Sequence, residues 1–306
     1  MTLLNVRNLS VTFETDYVKT NAVRNVSFDI APGEKVGFLG ESGSGKTTTA
    51  LALMGMIPKP GRVIGGTAMM SDTDYLALSP DAMRAKRLTE VSYIPQGAMN
   101  SLNPVQRIKQ SILDGMIDHG QAPVGSKADD FVEDLLKRVG LPAETANRYP
   151  HELSGGMKQR ACIAVAIALR PKLLIADEPT SALDVITQRQ VMETLNAAQQ
   201  ELGSALILIG HDVGLMAQFT DILMIMHKGK VVEHGKTHEV LKNPQADYTK
   251  KLIFSVPAVP DRREVEESQD EISIISEQNT LVELRNVSKT FGLSLIHISE
   301  PTRRSA

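Results

Sequence analysis

Residues 40–47 read GESGSGKT and match the pattern G-x-x-x-x-G-K-[ST] at every position. The apolar run KVGFLG at 35–40 predicts a short buried strand, and the run at 46–56 predicts a helix. Backbone amides of a glycine-rich loop and the positive end of a helix dipole together favour a bound anion. The segment therefore predicts a loop that binds nucleotide phosphates through Gly40, Ser42, Gly43, Ser44, Gly45, Lys46, Thr47 and Thr48.

A second run, LLIADE at 173–178, has apolar residues followed by two carboxylates. Apolar runs of this length are typical of buried parallel strands, whose carboxyl ends carry polar functional residues. Asp177 is expected to share a Mg²⁺ ion with the Thr47 hydroxyl, while Lys46 reaches the β- and γ-phosphates. Glu178 is expected to act on the water that attacks the γ-phosphate. The two acids are therefore predicted to serve different purposes, metal binding and catalysis.

The order of the runs along the chain predicts an α/β fold. A further apolar run at 205–209 predicts another parallel strand and, with the first two, a three-layer α/β core with a parallel sheet. Residues 3–30 contain short alternating runs that predict an N-terminal antiparallel β subdomain. Residues 79–147 show a mainly helical pattern with loops at 96–104 and 121–126, which predicts an inserted α-helical subdomain.

The end of the first domain is marked by a hairpin, a helix and a change in composition. Two runs separated by Lys228-Gly229 predict a hairpin over 222–233, and residues 239–253 predict a closing helix. Acidic and polar residues then predict a linker at 259–280. The first domain is accordingly expected to span residues 1–258.

A third motif, HELSGGMKQR at 151–160, resembles the signature of ABC ATPases, because LSGG opens a helix a little over twenty residues before the paired acids. A serine followed by glycine amides at a helix start can bind an anion. The resemblance implies a P-loop NTPase core of the RecA-like type, with a helical subdomain at about 85–165. It also implies a head-to-tail dimer, in which each ATP lies between one subunit's phosphate loop and the other subunit's Ser154, Gly155 and Gly156.

The same resemblance implies functions for residues in four further places. Gln96, in SYIPQ, corresponds to a glutamine that contacts Mg²⁺ and the attacking water, and His211 to a histidine that contacts the γ-phosphate. Asp184, in SALD, corresponds to a loop that crosses the dimer interface. Phe13 is expected to stack on the adenine of ATP, with Tyr17 as the alternative. The predicted catalytic residues are Glu178, His211 and Gln96, and the predicted metal ligands are Thr47, Gln96 and Asp177.

Residues beyond the linker partly repeat the start of the chain. LVELRNVSKTF at 281–291 shares Leu, Arg, Asn, Ser, Thr and Phe with LLNVRNLSVTF at 3–13. Residues 281–292 are therefore expected to begin a second ABC domain, which is truncated. The run at 293–303 resembles the translation of a sequencing adapter, so residues 293–306 are expected to be an artefactual tail, with a natural divergent tail as the alternative. The natural gene is expected to continue into a second ATPase half.

Composition narrows the class of protein. In 306 residues, 42% are hydrophobic and 23% charged, which is ordinary globular usage and excludes disordered or collagen-like chains. The net charge of -3 provides no broad basic field, so no nucleic-acid partner is expected. Cys162 is the single cysteine, which excludes an internal disulfide and fits a reducing compartment. With no leader and no long apolar run, the chain is expected at the cytoplasmic face of the inner or plasma membrane, bound peripherally.

Two short segments resemble the peptide and nickel importer branch of the ABC family, SLNP at 101–104 and NPQADYTKKL at 243–252. The implied function is ATP hydrolysis that energises import of peptides or related small solutes. The implied partners are a second ABC ATPase domain, integral membrane permease subunits and an extracytoplasmic solute-binding protein. A C-terminal cysteine cluster found in several members of that branch is absent from this sequence.

Two other functions remain open for an ABC ATPase. One is a part in a non-transport machine, such as a DNA-repair or translation factor. The other is a regulatory subunit that binds ATP without turnover, and the intact Glu178 and His211 argue against it.

Overall fold

A computed structural model describes residues 2–15 and 17–255, which belong to a unit that runs from Met1 to Val256. The predicted linker at 259–280, second-domain start at 281–292 and tail at 293–306 lie outside the described residues. The strands are β1 Leu4–Glu14, β2 Lys19–Ile30, β3 Lys35–Leu39, β4 Gly61–Met70, β5 Thr73–Asp74, β6 Val91–Ile94, β7 Leu173–Asp177, β8 Ala205–Gly210, β9 Ile222–His227 and β10 Lys230–Lys236. The α-helices are α1 Lys46–Leu53, α2 Pro80–Lys86, α3 Ile108–Asp118, α4 Ser126–Arg138, α5 Gly155–Ile167, α6 Val185–Leu202, α7 Val213–Phe219, α8 Thr237–Lys242 and α9 Asp247–Phe254. Within the described part of the chain, none of these helices has the length and apolar character needed to cross a bilayer.

The central sheet has six strands in the order β10-β9-β3-β8-β7-β6. The strands from β9 to β6 pair in parallel, and β10 runs antiparallel to β9. Both faces of the sheet are covered, which explains the continuous apolar runs: in β8, Ile207 and Ile209 pack into one core cluster and Leu206 and Leu208 into the other. The predicted α/β fold with a parallel core sheet is confirmed.

A second sheet, ordered β2-β1-β4-β5, contributes to one of these core clusters. Its first two strands confirm the predicted antiparallel β subdomain and pair from Leu4↔Ile30 to Glu14↔Lys19. No strand is predicted from the sequence at β4, because Gly65 and Gly66 interrupt its alternation. It forms through pairing with β1, whose buried side chains hold both neighbours in register.

The predicted helical region contains a strand of the central sheet. Residues 79–147 are predicted to be mainly helical, but β6 lies among them and pairs in parallel with β7, from Val91↔Leu173 to Ile94↔Ala176. The prediction is wrong at this point because a run of four residues carries no clear period, and its burial depends on a strand distant in the sequence. Helices α3, α4 and α5 follow β6 and share a core.

The described part of the chain ends in two helices rather than one. The predicted hairpin is confirmed as β9 and β10, joined at Lys228-Gly229. The closing helix predicted at 239–253 is divided into α8 and α9. Pro244 explains the division, because it has no backbone N–H and disfavours helical geometry at Asn243.

Candidate nucleotide-binding and hydrolysis site

The predicted site residues gather at one edge of the central sheet, where its parallel strands end. The loop 40–47 follows β3, Gln96 follows β6, Asp177 is the last residue of β7, and His211 follows β8. Because these strands are neighbours, side chains far apart in the sequence come within hydrogen-bonding distance of Glu178. The structure therefore brings the predicted phosphate loop, metal ligand and catalytic residues to the same edge.

The loop 40–47 has close backbone neighbours at two of its glycines. Gly45 has a φ of 103°, and a β-carbon at this position would lie 2.5 Å from the carbonyl oxygen of Ala22 in β2. A β-carbon on Gly40 would lie 2.2 Å from the carbonyl oxygen of Met226 in β9. Only glycine fits these contacts, since no real β-carbon approaches a backbone oxygen so closely. The loop is thus held against β2 and β9 as it enters α1.

Lys46 is buried, and the loop itself holds its ammonium group. Nζ donates hydrogen bonds to the carbonyl oxygens of Gly40 at 2.7 Å and Glu41 at 2.9 Å. Burial lowers the pKa of Lys46, and the nearby carboxylates of Glu178 and Asp177 oppose that shift. The amine therefore lies inside the loop, where it can reach an anion that the loop binds.

Asp177 is fully buried at the end of β7, and its two oxygens have different surroundings. The Tyr93 hydroxyl donates to Oδ2 at 2.9 Å, whereas Oδ1 is buried and makes no hydrogen bond to the described residues. Burial raises the pKa of Asp177, and the hydroxyl groups of Thr47 and Tyr93 act in the opposite direction. Asp177 therefore keeps one buried oxygen without a partner among the described residues, and a metal ion shared with Thr47 stays a prediction.

Tyr93 is a site residue that the sequence did not predict. Burial and the adjacent Asp177 carboxylate both raise the pKa of its phenol, which keeps the hydroxyl protonated as a donor. Its sequence signal is weak, because a tyrosine in an apolar strand is usually explained by packing alone. Its strand, β6, was not predicted from the sequence either, so only the folded structure indicates that Tyr93 belongs to the site.

Glu178 is held from two sides by the predicted catalytic residues. Gln96 Nε2 donates to Glu178 Oε2 at 3.0 Å, and His211 Nδ1 lies 3.2 Å from Oε1. The backbone of Glu178 turns sharply, with a φ of 44°, and its N–H donates to the carbonyl oxygen of Ile209 at 2.9 Å. The side chain of His211 is 72% exposed and that of Glu178 is 21% exposed, so solvent reaches the group. A carboxylate fixed in this way can orient and deprotonate a water molecule.

The predicted signature residues form the start of α5. Ser154 is the N-cap, and its hydroxyl accepts a hydrogen bond from the N–H of Met157 at 3.4 Å. Gly156 lies against the first turn of α6, since a β-carbon there would be 2.4 Å from the Thr187 side chain. Within the described residues, no hydrogen bond joins 154–156 to the loop 40–47. Within one chain, the two predicted phosphate-binding segments, 40–47 and 154–156, are therefore not linked by a hydrogen bond among the described residues.

Asp184 caps the helix that follows the paired acids. Its carboxylate accepts hydrogen bonds from the Thr187 N–H at 3.0 Å and the Thr187 hydroxyl at 2.6 Å. These hydrogen bonds hold the pKa of Asp184 below its ordinary value. The Asp184 side chain is exposed. It lies beside the start of α5, because Gly156 of that helix packs on the same Thr187.

The two candidate adenine-binding aromatics differ in their surroundings. Phe13 is half-buried in β1, opposite Gly61 of β4, and its ring covers the space that a β-carbon on Gly61 would need. Tyr17 is 94% exposed. Phe13 therefore packs against β4 whereas Tyr17 is open to solvent, and adenine stacking by either residue stays a prediction.

Solved structures of known proteins share this fold. The dimeric structure of the ATP-binding cassette MJ0796 in a post-hydrolysis state, bound to ADP and Pi, aligns with a TM-score of 0.69 and 26% identity over 76% of this chain and 98% of that one. A second dimeric structure of MJ0796, described as a bacterial ABC transporter cassette, aligns with a TM-score of 0.68 and 27% identity. The similarity in fold therefore extends to cassettes that form dimers.

Sequence comparison gives the same family. The dipeptide transport ATP-binding protein DppD of Haemophilus influenzae is 42% identical over 259 residues, which cover 84% of this chain and 78% of that protein. DppD of Escherichia coli is also 42% identical, over 84% of this chain and 79% of its own length. The peptidoglycan transport ATP-binding protein YejF of Agrobacterium fabrum is 42% identical, and this chain covers 47% of its length. The family model described as ABC transporter matches residues 23–181, and the chain belongs to the ABC transporter family.

Proposed function

We propose that this chain is the ATP-hydrolysing subunit of an ABC transporter that imports peptides or related small solutes. The observation that carries the proposal is the arrangement at the sheet edge, where the buried Lys46 lies inside the loop 40–47 and Glu178 is held by Gln96 and His211. A phosphate-binding loop beside an oriented carboxylate is what hydrolysis of a nucleoside triphosphate requires.

Each residue of the group has a defined part in that reaction. The loop amides and Lys46 bind the phosphates, and Glu178 takes the proton of the attacking water. His211 and Gln96 hold Glu178 toward that water and are proposed to contact the γ-phosphate. Positioning and electrostatics supply most of the rate enhancement in phosphoryl transfer, so this fixed geometry matters more than any single group.

A Mg²⁺ ion fits beside the phosphates. Asp177 Oδ1 is buried without a hydrogen-bond partner among the described residues, and the hydroxyl of Thr47, at the start of α1, is the second proposed ligand. Hydroxyl and carboxylate oxygens are the ligands that Mg²⁺ prefers, and Gln96 is the third proposed ligand. When bound, the ion would offset the negative charge of the phosphates during transfer.

The proposed working unit is a head-to-tail pair of ABC domains. Ser154, Gly155 and Gly156 form an open helix start that suits an anion but makes no hydrogen bond to its own phosphate loop. Asp184, exposed beside them, is proposed to lie at the interface. The dimeric cassette structures support this pairing, in which a second copy or another ABC domain completes each ATP site.

The proposed partners in the membrane are permease subunits that this chain drives. A groove at the end of β6 supports this part, since it opens between β6, α3 and α5 and is lined by Pro95, Leu102, Gln106 and Cys162. A permease segment bound in this groove would lie next to Gln96, because Gln96 follows Pro95 in the chain. We place the chain at the cytoplasmic face of the membrane, in a system that includes an extracytoplasmic solute-binding protein and no nucleic acid.

Peptide import is favoured over the non-transport alternative by the names of the relatives, which include dipeptide transport and peptide import ATP-binding proteins. The test is co-expression with a two-subunit permease of the peptide-importer type. We expect the chain to co-purify with that permease and its ATPase rate to rise when peptide-loaded binding protein is added. An ATPase that binds no permease and responds to DNA or ribosomes would reverse the conclusion.

Removing the Tyr93 hydroxyl should weaken the binding of Mg²⁺ at the site. In Tyr93→Phe the Asp177 carboxylate loses the donor that orients it, so we expect the Mg²⁺ concentration for half-maximal ATPase activity to rise about 10-fold. A Mg²⁺ titration of steady-state hydrolysis measures this shift. Tyr75→Phe is the matched control, because the Tyr75 hydroxyl donates to Glu90 at 3.0 Å, outside the proposed site. Equal Mg²⁺ curves for the Tyr93 variant and the parent would contradict the prediction.

A further inference from the structure

Helix α9, the last helix in the described part of the chain, reaches the phosphate loop through one side chain. The Tyr248 hydroxyl accepts a hydrogen bond from the backbone N–H of Glu41 at 3.1 Å, across 207 positions of sequence. Tyr248 lies in the segment NPQADYTKKL, which has no assigned part in ATP binding or hydrolysis. This contact therefore joins the end of the described chain to the loop 40–47.

Glu41 is also held on its carbonyl side, by residues of the loop. Its carbonyl oxygen accepts hydrogen bonds from Lys46 Nζ at 2.9 Å and from the N–H of Ser44 at 3.2 Å. The Tyr248 hydroxyl and the Lys46 ammonium group therefore both form hydrogen bonds with the backbone of Glu41. A displacement of Tyr248 can therefore reach Lys46 through Glu41.

Tyr248 is itself fixed by contacts with the β9–β10 hairpin. Its ring packs on the imidazole of His227, with ring centroids 3.9 Å apart. The carboxylate of Glu233 accepts hydrogen bonds from the N–H groups of Gln245 at 2.8 Å and Ala246 at 2.9 Å, and so satisfies free amides at the start of α9. The helix that carries Tyr248 is therefore anchored one turn before it.

We propose that Tyr248 is a positioning residue of the nucleotide site. Through its hydroxyl, α9 holds Glu41, and with it Lys46, in the conformation that binds the phosphates of ATP. Tyrosine suits this position because its ring fixes the location against His227 and its oxygen supplies the acceptor. The inference rests on the proposed function, since it assumes that the loop 40–47 binds a nucleotide.

The test is Tyr248→Phe in the full chain, which keeps the ring and removes the acceptor. We expect the Kd for a non-hydrolysable ATP analogue, measured by calorimetry, to rise about fivefold, as for loss of one hydrogen bond. The KM for ATP should rise similarly while kcat changes little, because Glu178 is untouched. Tyr75→Phe serves as the control, and the Tm without nucleotide should fall no more for Tyr248→Phe than for Tyr75→Phe.

A second variant separates positioning from general loosening of the fold. Glu233→Ala removes the carboxylate that anchors α9, so this substitution alone should raise the Kd for the ATP analogue. In a protein that already carries Tyr248→Phe, the same substitution should cause no further rise in that Kd. Additive effects of the two substitutions would overturn the proposal, as would equal Kd values for Tyr248→Phe and the parent. If the parent itself binds no analogue, the proposed function fails instead, so the two failures are distinguishable.

Discussion

Replacing Glu178 with Gln should lower the rate of ATP hydrolysis by roughly 10²- to 10⁴-fold, the usual contribution of a general base. Glutamine fills nearly the same space beside Gln96 and His211 but cannot take a proton from water. ATP binding should persist, because the loop 40–47 and Lys46 are unchanged. Two chains should then stay together around unhydrolysed ATP, which phosphate release and size-exclusion chromatography with Mg-ATP would show.

The matched control for this experiment is Glu193→Gln. Glu193 is an exposed carboxylate on α6 that pairs with Arg189 at 2.9 Å, away from the sheet edge. Exposed pairs of this kind contribute little to stability, so the control should hydrolyse ATP like the parent. A Glu178→Gln protein that hydrolyses ATP at the parental rate would remove Glu178 from the reaction.

Replacing Gly45 with Ala should weaken ATP binding by roughly 100-fold. A left-handed φ costs a non-glycine residue about 1–2 kcal/mol, and the new β-carbon would also meet the carbonyl oxygen of Ala22 at 2.5 Å. That oxygen belongs to β2, which pairs along its length with β1 and cannot easily retreat. The loop must therefore move instead and lose the geometry that holds the phosphates, as calorimetry with an ATP analogue would show.

Gly65→Ala is the control for the glycine substitution. Gly65 lies in β4, and a β-carbon there would meet no other atom within 4 Å. This variant should bind the analogue with parental affinity and unfold near the parental Tm. Parental affinity in Gly45→Ala would show that the contact with Ala22 does not restrain the loop.

The parts of the site that local patterns predicted are those encoded by adjacent residues, whereas Gln96 and His211 were assigned through the resemblance to ABC ATPases. The loop 40–47 carries its glycines, lysine and flanking strand and helix in one segment, and Asp177 and Glu178 end a run that is apolar throughout. Such local patterns determine both conformation and chemistry. The hairpin at Lys228-Gly229 was predictable for the same reason, because turn residues separate two apolar runs.

The parts that were not predicted depend on contacts between distant residues. Strand β4 forms because its backbone pairs with β1. Its own glycines disfavour a strand, so its residues alone do not predict one. Tyr93 meets Asp177 across 84 positions and Tyr248 meets Glu41 across 207, and nothing near either tyrosine indicates its partner. A tyrosine in a sequence can serve for packing alone or can also form a hydrogen bond with a site residue. The sequence looks the same in both cases, and only the folded structure distinguishes them.

The neighbours of the phosphate loop come from both ends of the described chain: Ala22 stands against Gly45, Met226 against Gly40, and Tyr248 against Glu41. During translation the GESGSGKT segment leaves the ribosome long before Met226 and Tyr248 are made. A nascent chain therefore carries the motif before it carries the contacts from Met226 and Tyr248 that hold the loop in the completed fold.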